Sequence, residues 1–155
     1  MGNRRMRRTI GGSYGSISCE VSNYVTGYTT TVSNTTSFYD VNTVTVLGDV
    51  SGADFIQSSN GALQYKGPGG DFTVEVNFSA GGAGSIGMFQ NLKINGTAVT
   101  GTGHYGVGIS GAQEGWSSQY DVTLATDDIL TGGVRNASNT NNLTSFSYSI
   151  FAREK

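Results

Sequence analysis

The chain contains a run of seven residues in which every second side chain is large and apolar. The apolar positions of this run are Phe72, Val74, Val76 and Phe78. Because successive side chains of a β-strand point to opposite faces, a period of two places all four on one face of a strand. The composition agrees, since the chain has 24 Gly but only nine Ala and six Leu, the strong helix formers. An all-β fold is therefore predicted.

Two Asn-Gly dipeptides, Asn60-Gly61 and Asn95-Gly96, lie between alternating runs. Both central residues of a type I′ turn need positive φ, which Asn and Gly adopt readily, so each dipeptide predicts an antiparallel hairpin. With the other alternating runs, they predict about eight strands in two sheets whose apolar faces cover each other, as in a jelly-roll sandwich. The side chains expected in its core are Phe72, Val74, Val76, Phe78, Val122, Leu124, Phe146 and Tyr148.

Charge is unevenly distributed along the chain. Four of the nine basic residues lie within the first eight positions, as Arg4, Arg5, Arg7 and Arg8. Residues 9–155 hold five basic against eleven acidic residues, a balance of −6. The sequence up to residue 36 is rich in Gly, Ser and Thr, which is typical of an extended segment with one or two strands. We predict an extended basic and polar arm over residues 1–36 and a jelly-roll β-domain over residues 37–155.

Few residues could support catalysis. His104 is the single imidazole, and its Gly- and Thr-rich surroundings indicate an ordinary surface or interface histidine rather than the base of a triad. Cys19 has no histidine near it in the sequence. Asp127-Asp128 is the one adjacent pair of carboxylates, and we expect it to cap or bend a turn rather than to cleave glycosides. The sequence therefore predicts a protein that is not an enzyme.

No cofactor is predicted either. One Cys and one His cannot supply the ligands of a structural zinc site. Asp49 and Asp54 could present oxygen atoms to a calcium ion, but their segment lacks the dense alternation of a calcium loop, and ion binding there stays open. No run of the sequence is apolar and long enough to cross a bilayer, and no signal-peptide pattern is present, so a membrane partner is not expected.

Five segments of the chain carry a resemblance to known proteins: Asn60 to Gly67, Phe72 to Phe78, Leu92 to Val99, Asp121 to Leu130 and Phe146 to Arg153. In this order they resemble a family of small phage virion β-domains, found in head-decoration proteins and at the tips of head or tail fibres. The layout of that family is similar to the jelly roll of tumour necrosis factor. The resemblance implies that three copies pack around a threefold axis. The polar side chains of the closing strand are small enough to allow another subunit to approach closely. They are Ser145, Ser147 and Ser149.

The resemblance implies a virion structural protein, made in the host cytoplasm and located on the capsid exterior. The leading interpretation is a homotrimeric capsid decoration protein whose arm attaches to the major capsid protein or to another virion protein. The arginines of the arm are not accompanied by an evident aromatic ladder, and the body is acidic, which favours an acidic protein surface over nucleic acid as the partner. The arm residues expected to bind it are Arg4, Arg5, Arg7, Arg8, Ile10, Tyr14 and Ile17.

Two alternatives remain. In the first, the protein is the receptor-binding knob of a tail or head fibre and recognises host surface glycans, with Trp116, Tyr105 and Tyr120 as the aromatic contacts. Trp116 is predicted to lie on a loop, where it would otherwise serve as a partly buried anchor. In the second and weaker alternative, the protein hydrolyses polysaccharide.

Overall fold

The computed structural model describes residues 12–20, 28–41, 54–59, 61–82, 86–100, 104–108 and 114–155. These residues contain strands and turns and no helix. The strands are β1 (Tyr14–Glu20), β2 (Tyr28–Thr30), β3 (Tyr39–Asp40), β4 (Phe55–Ser59), β5 (Ala62–Tyr65), β6 (Gly70–Gly82), β7 (Ile86–Ile94), β8 (Thr97–Ala98), β9 (His104–Gly108), β10 (Glu114–Leu124), β11 (Ile129–Asn136) and β12 (Leu143–Glu154).

The strands form two antiparallel sheets that pack face to face. Sheet A has the order β1-β12-β6-β10, with β2 also pairing with β12. Sheet B has the order β4-β5-β11-β7-β8, with β3 also pairing with β11 and β9 with β7. The predicted all-β jelly-roll sandwich is thus confirmed. The described residues contain more strands than the eight or so predicted, because short pieces such as β2, β3 and β8 carry too few residues to show a period of two.

The core lies between the sheets and includes most of the side chains predicted for it. Buried members of the predicted set are Phe72, Val74, Val76, Phe78, Leu124 and Tyr148. Val122 is only partly buried and packs against the edge of this core. Nothing is described of the Phe146 side chain, so its burial stays a prediction. At one end, the rings of Phe55, Tyr65 and Phe72 contact one another with centroid separations of 4.9–5.7 Å.

Both predicted hairpins are present. Asn95 and Gly96 have φ values of 51° and 79°, as a type I′ turn requires, and join β7 to β8. Gly61 has a φ of 72° between β4 and β5. The Asp127-Asp128 pair bends the chain between β10 and β11, as predicted: Asp127 has a φ of 73°, and Asp128 Oδ2 accepts a hydrogen bond of 2.8 Å from the Ala125 amide.

Part of the predicted arm is paired with the closing strand. Strand β1 lies inside residues 1–36 and pairs with β12 from Tyr14 opposite Arg153 to Glu20 opposite Ser147. Val32 is also buried in the core. Without β1 and β2, β12 would expose a row of unpaired backbone groups, which these two strands satisfy. The boundary between residues 36 and 37 stays a prediction, and residues 1–11 lie outside the described residues.

The closing strand contains one irregularity. The register of β12 against β6 shifts between Ser145 and Ser147, which places one extra residue in β12 at that point. Such a shift changes which residues share a face. The regular alternation predicted across Ser145, Ser147 and Ser149 therefore holds only from Ser147 onward.

Tyr148 ties the two sheets together. Its hydroxyl accepts a hydrogen bond of 2.5 Å from the Gly132 amide of β11 and donates one of 3.0 Å to the Gly61 carbonyl. Its ring packs closely against Gly132, where an added Cβ would come within 2.3 Å of ring atom Cε2.

We expect Tyr148→Phe to lower the free energy of unfolding by about 2–4 kcal/mol, because it leaves two buried backbone groups without this partner. Urea unfolding followed by circular dichroism measures the loss. Tyr105→Phe removes a hydroxyl from an exposed tyrosine and should change stability by less than about 0.5 kcal/mol. Equal stability of the two variants would show that the Tyr148 hydroxyl does not hold the sheets together.

Candidate functional site

The surface of sheet A that faces away from the core forms a broad, mostly polar face. Its residues alternate with core residues along β1, β12, β6 and β10, so the pleat alone places them together. We call it the open face of sheet A, and define it by Tyr14, Ser16, Thr73, Glu75, Asn77, Ser117, Gln119, Asp121, Ser149, Phe151 and Arg153.

Cross-strand hydrogen bonds occupy much of this face. Asn77 Nδ2 donates to Ser149 Oγ at 3.3 Å, and Ser117 Oγ donates to Glu75 Oε1 at 3.2 Å. Pairs of this kind fix the side chains of neighbouring strands relative to each other. The result is a surface on which several polar side chains are held by their neighbours on the adjacent strand.

Two aromatic side chains interrupt the polar surface. Phe151 is 41% exposed and Tyr14 is 48% exposed. In the register of the sheet, Phe151 lies between Ser16 of β1 and Glu75 of β6. A groove of about 420 Å³ runs beside Phe151 and is lined also by Thr73, Glu75, Gln119, Arg153, Glu154 and Lys155. An exposed phenylalanine beside a groove is the kind of feature that marks a protein contact surface.

Charged contacts border the groove. Lys155 Nζ lies 2.9 Å from Asp121 Oδ2, and Thr73 Oγ1 donates a hydrogen bond of 2.9 Å to Asp121 Oδ1. These hydrogen bonds, first from Lys155 and then from Thr73, hold the pKa of Asp121 below its usual value. Asp121 therefore stays ionised to lower pH than a free aspartate, and the contact between β10 and the Lys155 ammonium persists until that carboxylate is protonated.

The predicted arm residues are only partly described. Arg4, Arg5, Arg7, Arg8 and Ile10 lie outside the described residues. Tyr14 is exposed on the open face of sheet A. Ile17 lies in β1 opposite Ile150 of β12. Both residues therefore belong to the sheet, and their role in binding a virion partner stays a prediction.

The structure separates the three aromatic residues predicted to contact a glycan. Tyr120 is 3% exposed, and its burial raises the pKa of its hydroxyl, so it cannot stack on a ligand from solvent. Trp116 lies in β10 rather than on a loop, stacks on Phe78 at 6.0 Å and covers Gly106. Tyr105 alone of the three is well exposed, at 54%. The predicted glycan contact thus reduces to Tyr105, with Trp116 as the partly buried anchor.

The described aspartates that were considered for catalysis or ion binding have partners within the protein. Asp127 forms an ion pair of 2.5 Å with Lys66, and Asp128 Oδ1 accepts a hydrogen bond of 2.7 Å from Asn95 Nδ2. Asp54 Oδ2 accepts a hydrogen bond of 2.5 Å from Ser13 Oγ, while Asp49 lies outside the described residues. Within the described ranges, no group of three His, Cys, Asp or Glu side chains is placed to hold a metal ion.

Two surface residues, Phe151 and Arg135, were not among the predicted contact residues. Phe151 occupies the polar phase of the closing strand, where a large aromatic residue is itself a signal of a contact surface. Arg135 lies on β11, and its guanidinium is positioned over aromatic rings from β7 and from the segment before β3. That contact joins residues far apart in the sequence, so no local pattern predicts it.

No family model and no curated protein sequence matches this chain. Solved structures do match it in fold. The Eiger TNF from S. frugiperda has a TM-score of 0.63 at 10% identity, covering 94% of this chain and 93% of that one. The PRD1 phage vertex protein P5 has a TM-score of 0.53 at 13% identity, covering 93% of this chain and 97% of that one. The chain thus has a TNF-like jelly-roll fold, as the resemblance predicted. In the part of the chain that is described, no helix could span a membrane.

Proposed function

We propose that this protein is a trimeric structural component of a phage virion, and that it decorates the capsid exterior through its N-terminal residues. The observation that carries the proposal is the open face of sheet A, where exposed Phe151 lies among polar side chains and beside a groove. The fold shared with a phage vertex protein and the resemblance of the sequence to virion β-domains support a role in the particle. The proposed role is assembly rather than catalysis.

The open face of sheet A is the proposed subunit interface. Exposed Phe151 and Tyr14 supply apolar area, and the serine and threonine side chains around them leave room for a second backbone. In a closed trimer each subunit offers this face to its neighbours around the axis, so the aromatic residues of all three subunits leave water together. The acidic body outside the interface then keeps the assembled trimer soluble.

Attachment to the capsid is assigned to residues 1–11. The chain enters the sandwich at Ser13, whose amide donates a hydrogen bond of 2.7 Å to Glu154 Oε2 and whose carbonyl accepts one of 2.8 Å from the Glu154 amide. Beyond this point β1 is hydrogen-bonded along its whole length to β12. Residues 1–11 therefore precede a segment that is hydrogen-bonded into sheet A.

We expect deletion of residues 1–11 to leave a folded trimer that no longer binds particles. Replacing Arg4, Arg5, Arg7 and Arg8 by Ser should weaken binding mainly at low salt, because exposed ion pairs contribute only about 0–1 kcal/mol each and are screened by ions. The measurement is co-sedimentation of purified variants with particles that lack the protein, at low and high salt.

The deletion must end before Gly12, because removal of residues 1–18 would also take most of β1 out of sheet A. Replacing the four arginines by Lys is the matched control, since it keeps the charge, and it should retain most of the binding. If the protein without residues 1–11 decorates particles as well as the full chain does, the attachment site lies on the β-domain.

The alternative function, a receptor-binding knob for host surface glycans, is favoured by one observation, the exposed Tyr105. The two functions differ in abundance. A decoration protein is present in many copies per particle, whereas a fibre tip is scarce. Quantitative staining of purified particles distinguishes them, and a copy number equal to that of the fibre proteins would favour the knob.

A further inference from the structure

A second surface, on the side of sheet B that faces away from the core, combines a cation with aromatic rings. The Arg135 guanidinium carbon lies 4.2 Å from the ring centroid of Phe89 and 5.2 Å from that of Phe38. Phe89 in turn contacts exposed Tyr105, with ring centroids 4.8 Å apart. We call this group, Phe38, Phe89, Tyr105 and Arg135, the aromatic platform.

Two glycines leave space beside the backbone for side chains of this region. A Cβ at Gly87 would come within 2.9 Å of the Tyr105 hydroxyl oxygen. A Cβ at Gly133 would come within 2.9 Å of Lys93 Cδ and 3.3 Å of Phe38 Cβ. A larger residue at Gly87 would therefore displace Tyr105, so the position of that ring depends on this glycine.

Arg135 is a cation without a counterion among the described residues. It takes part in none of the ion pairs formed there, and its buried Nε has no hydrogen-bond partner in that part of the protein. The carboxylate nearest along the sheet, Asp40, is already engaged by Lys93 at 2.6 Å and by Thr131 at 3.1 Å. An ionised group held in place by rings and left unpaired in an acidic body is placed to bind an external anion.

We propose that the aromatic platform binds a carboxylate-bearing sugar. The Arg135 guanidinium pairs with the carboxylate, while the exposed ring of Tyr105 packs against the apolar face of the sugar ring. Arg135 of β11 and Tyr105 of β9 flank Phe89 of β7 in the register of sheet B. A sugar that lies across Phe89 presents its carboxylate to Arg135 and its ring to Tyr105. This inference refines the receptor-binding alternative, but it does not depend on trimerisation or on capsid attachment.

The test is a titration of the full-length, isotopically labelled protein with the methyl glycosides of glucuronic acid and of glucose, followed by NMR. These two probes differ only in the carboxylate. We expect the glucuronide to shift the resonances of Tyr105, Phe89 and Arg135, and to bind at least about tenfold more tightly than the glucoside, as a charge-assisted hydrogen bond provides. Equal binding of the two glycosides, or no binding of the glucuronide, overturns the proposal.

Variants and further probes locate the site. Arg135→Gln and Tyr105→Ala should each weaken glucuronide binding at least about tenfold, whereas Tyr105→Phe, which keeps the ring, should not. Lys66→Gln removes one positive charge away from the platform and is the matched control, expected to bind as the unmodified protein does. Acetate and triglutamate should bind more weakly than the glucuronide. If either binds as tightly, the site recognises carboxylates in general or an acidic peptide, and the sugar assignment is wrong.

Discussion

Val76→Asp is expected to abolish cooperative folding of the protein. Val76 is fully buried in the middle of β6, between Ser118 of β10 and Ile150 of β12 in the register of sheet A. Its carbonyl accepts a hydrogen bond of 2.7 Å from the buried Gln90 side chain of sheet B. A carboxylate at this position would be buried, and no cation among the described residues is paired at this point of the core, so the cost is several kcal/mol. Loss of the valine packing adds to this cost, and the sum approaches the whole stability of an ordinary domain, about 5–15 kcal/mol.

The control for this substitution is the next residue along the same strand. Asn77→Asp adds the same charge on the open face of sheet A. There Asn77 now donates to Ser149 Oγ, and the new carboxylate can instead accept a hydrogen bond from the Ser149 hydroxyl. It should unfold in urea with nearly the midpoint of the unmodified protein, as monitored by Trp116 fluorescence and circular dichroism. A soluble, cooperatively unfolding Val76→Asp protein would mean that the phase of β6 is wrong.

The second large effect is expected at the proposed subunit interface, the open face of sheet A. Phe151→Asp should dissociate the proposed trimer while leaving the monomer folded, because Phe151 is exposed in the single chain and would be buried only on association. Loss of a central aromatic contact costs about 2–4 kcal/mol per interface, so the dissociation constant should rise at least about 100-fold.

Ile56→Asp is the matched control for the interface. Ile56 is 43% exposed, close to the 41% of Phe151, but it lies in β4 of sheet B. The two substitutions therefore introduce the same charge and remove similar exposed apolar area from different sheets. Sedimentation velocity across a concentration series should show a trimer for Ile56→Asp and a monomer for Phe151→Asp. Dissociation by Ile56→Asp alone would place the interface on sheet B instead.

The features that the sequence predicted correctly are those that neighbouring residues determine. The period of two from Phe72 to Phe78 is the physical alternation of β6, and Asn95-Gly96 supplies two adjacent residues with positive φ. The bend at Asp127-Asp128 likewise follows from the conformations that aspartate tolerates. Each of these signals is complete within a few residues, so no knowledge of the partner strand is needed.

The errors arose where distant partners determine the structure. In β1, the core position at Gly15 carries no side chain, so the alternation of apolar residues is not visible in the sequence. Gly15 is required there because a Cβ would come within 2.4 Å of the Phe55 ring of the other sheet. Trp116 was predicted on a loop because Ser118 interrupts the apolar phase of β10, although Ser118 itself is buried.

Assembly of three copies of this chain through the open face of sheet A can be measured as a mass. The experiment is sedimentation equilibrium of the full-length protein at micromolar concentration. We expect a single species of three times the 16.2 kDa chain mass, which Phe151→Asp converts to the chain mass. A monomer of the unmodified protein, with residues 1–11 intact and at the same concentration, would contradict it.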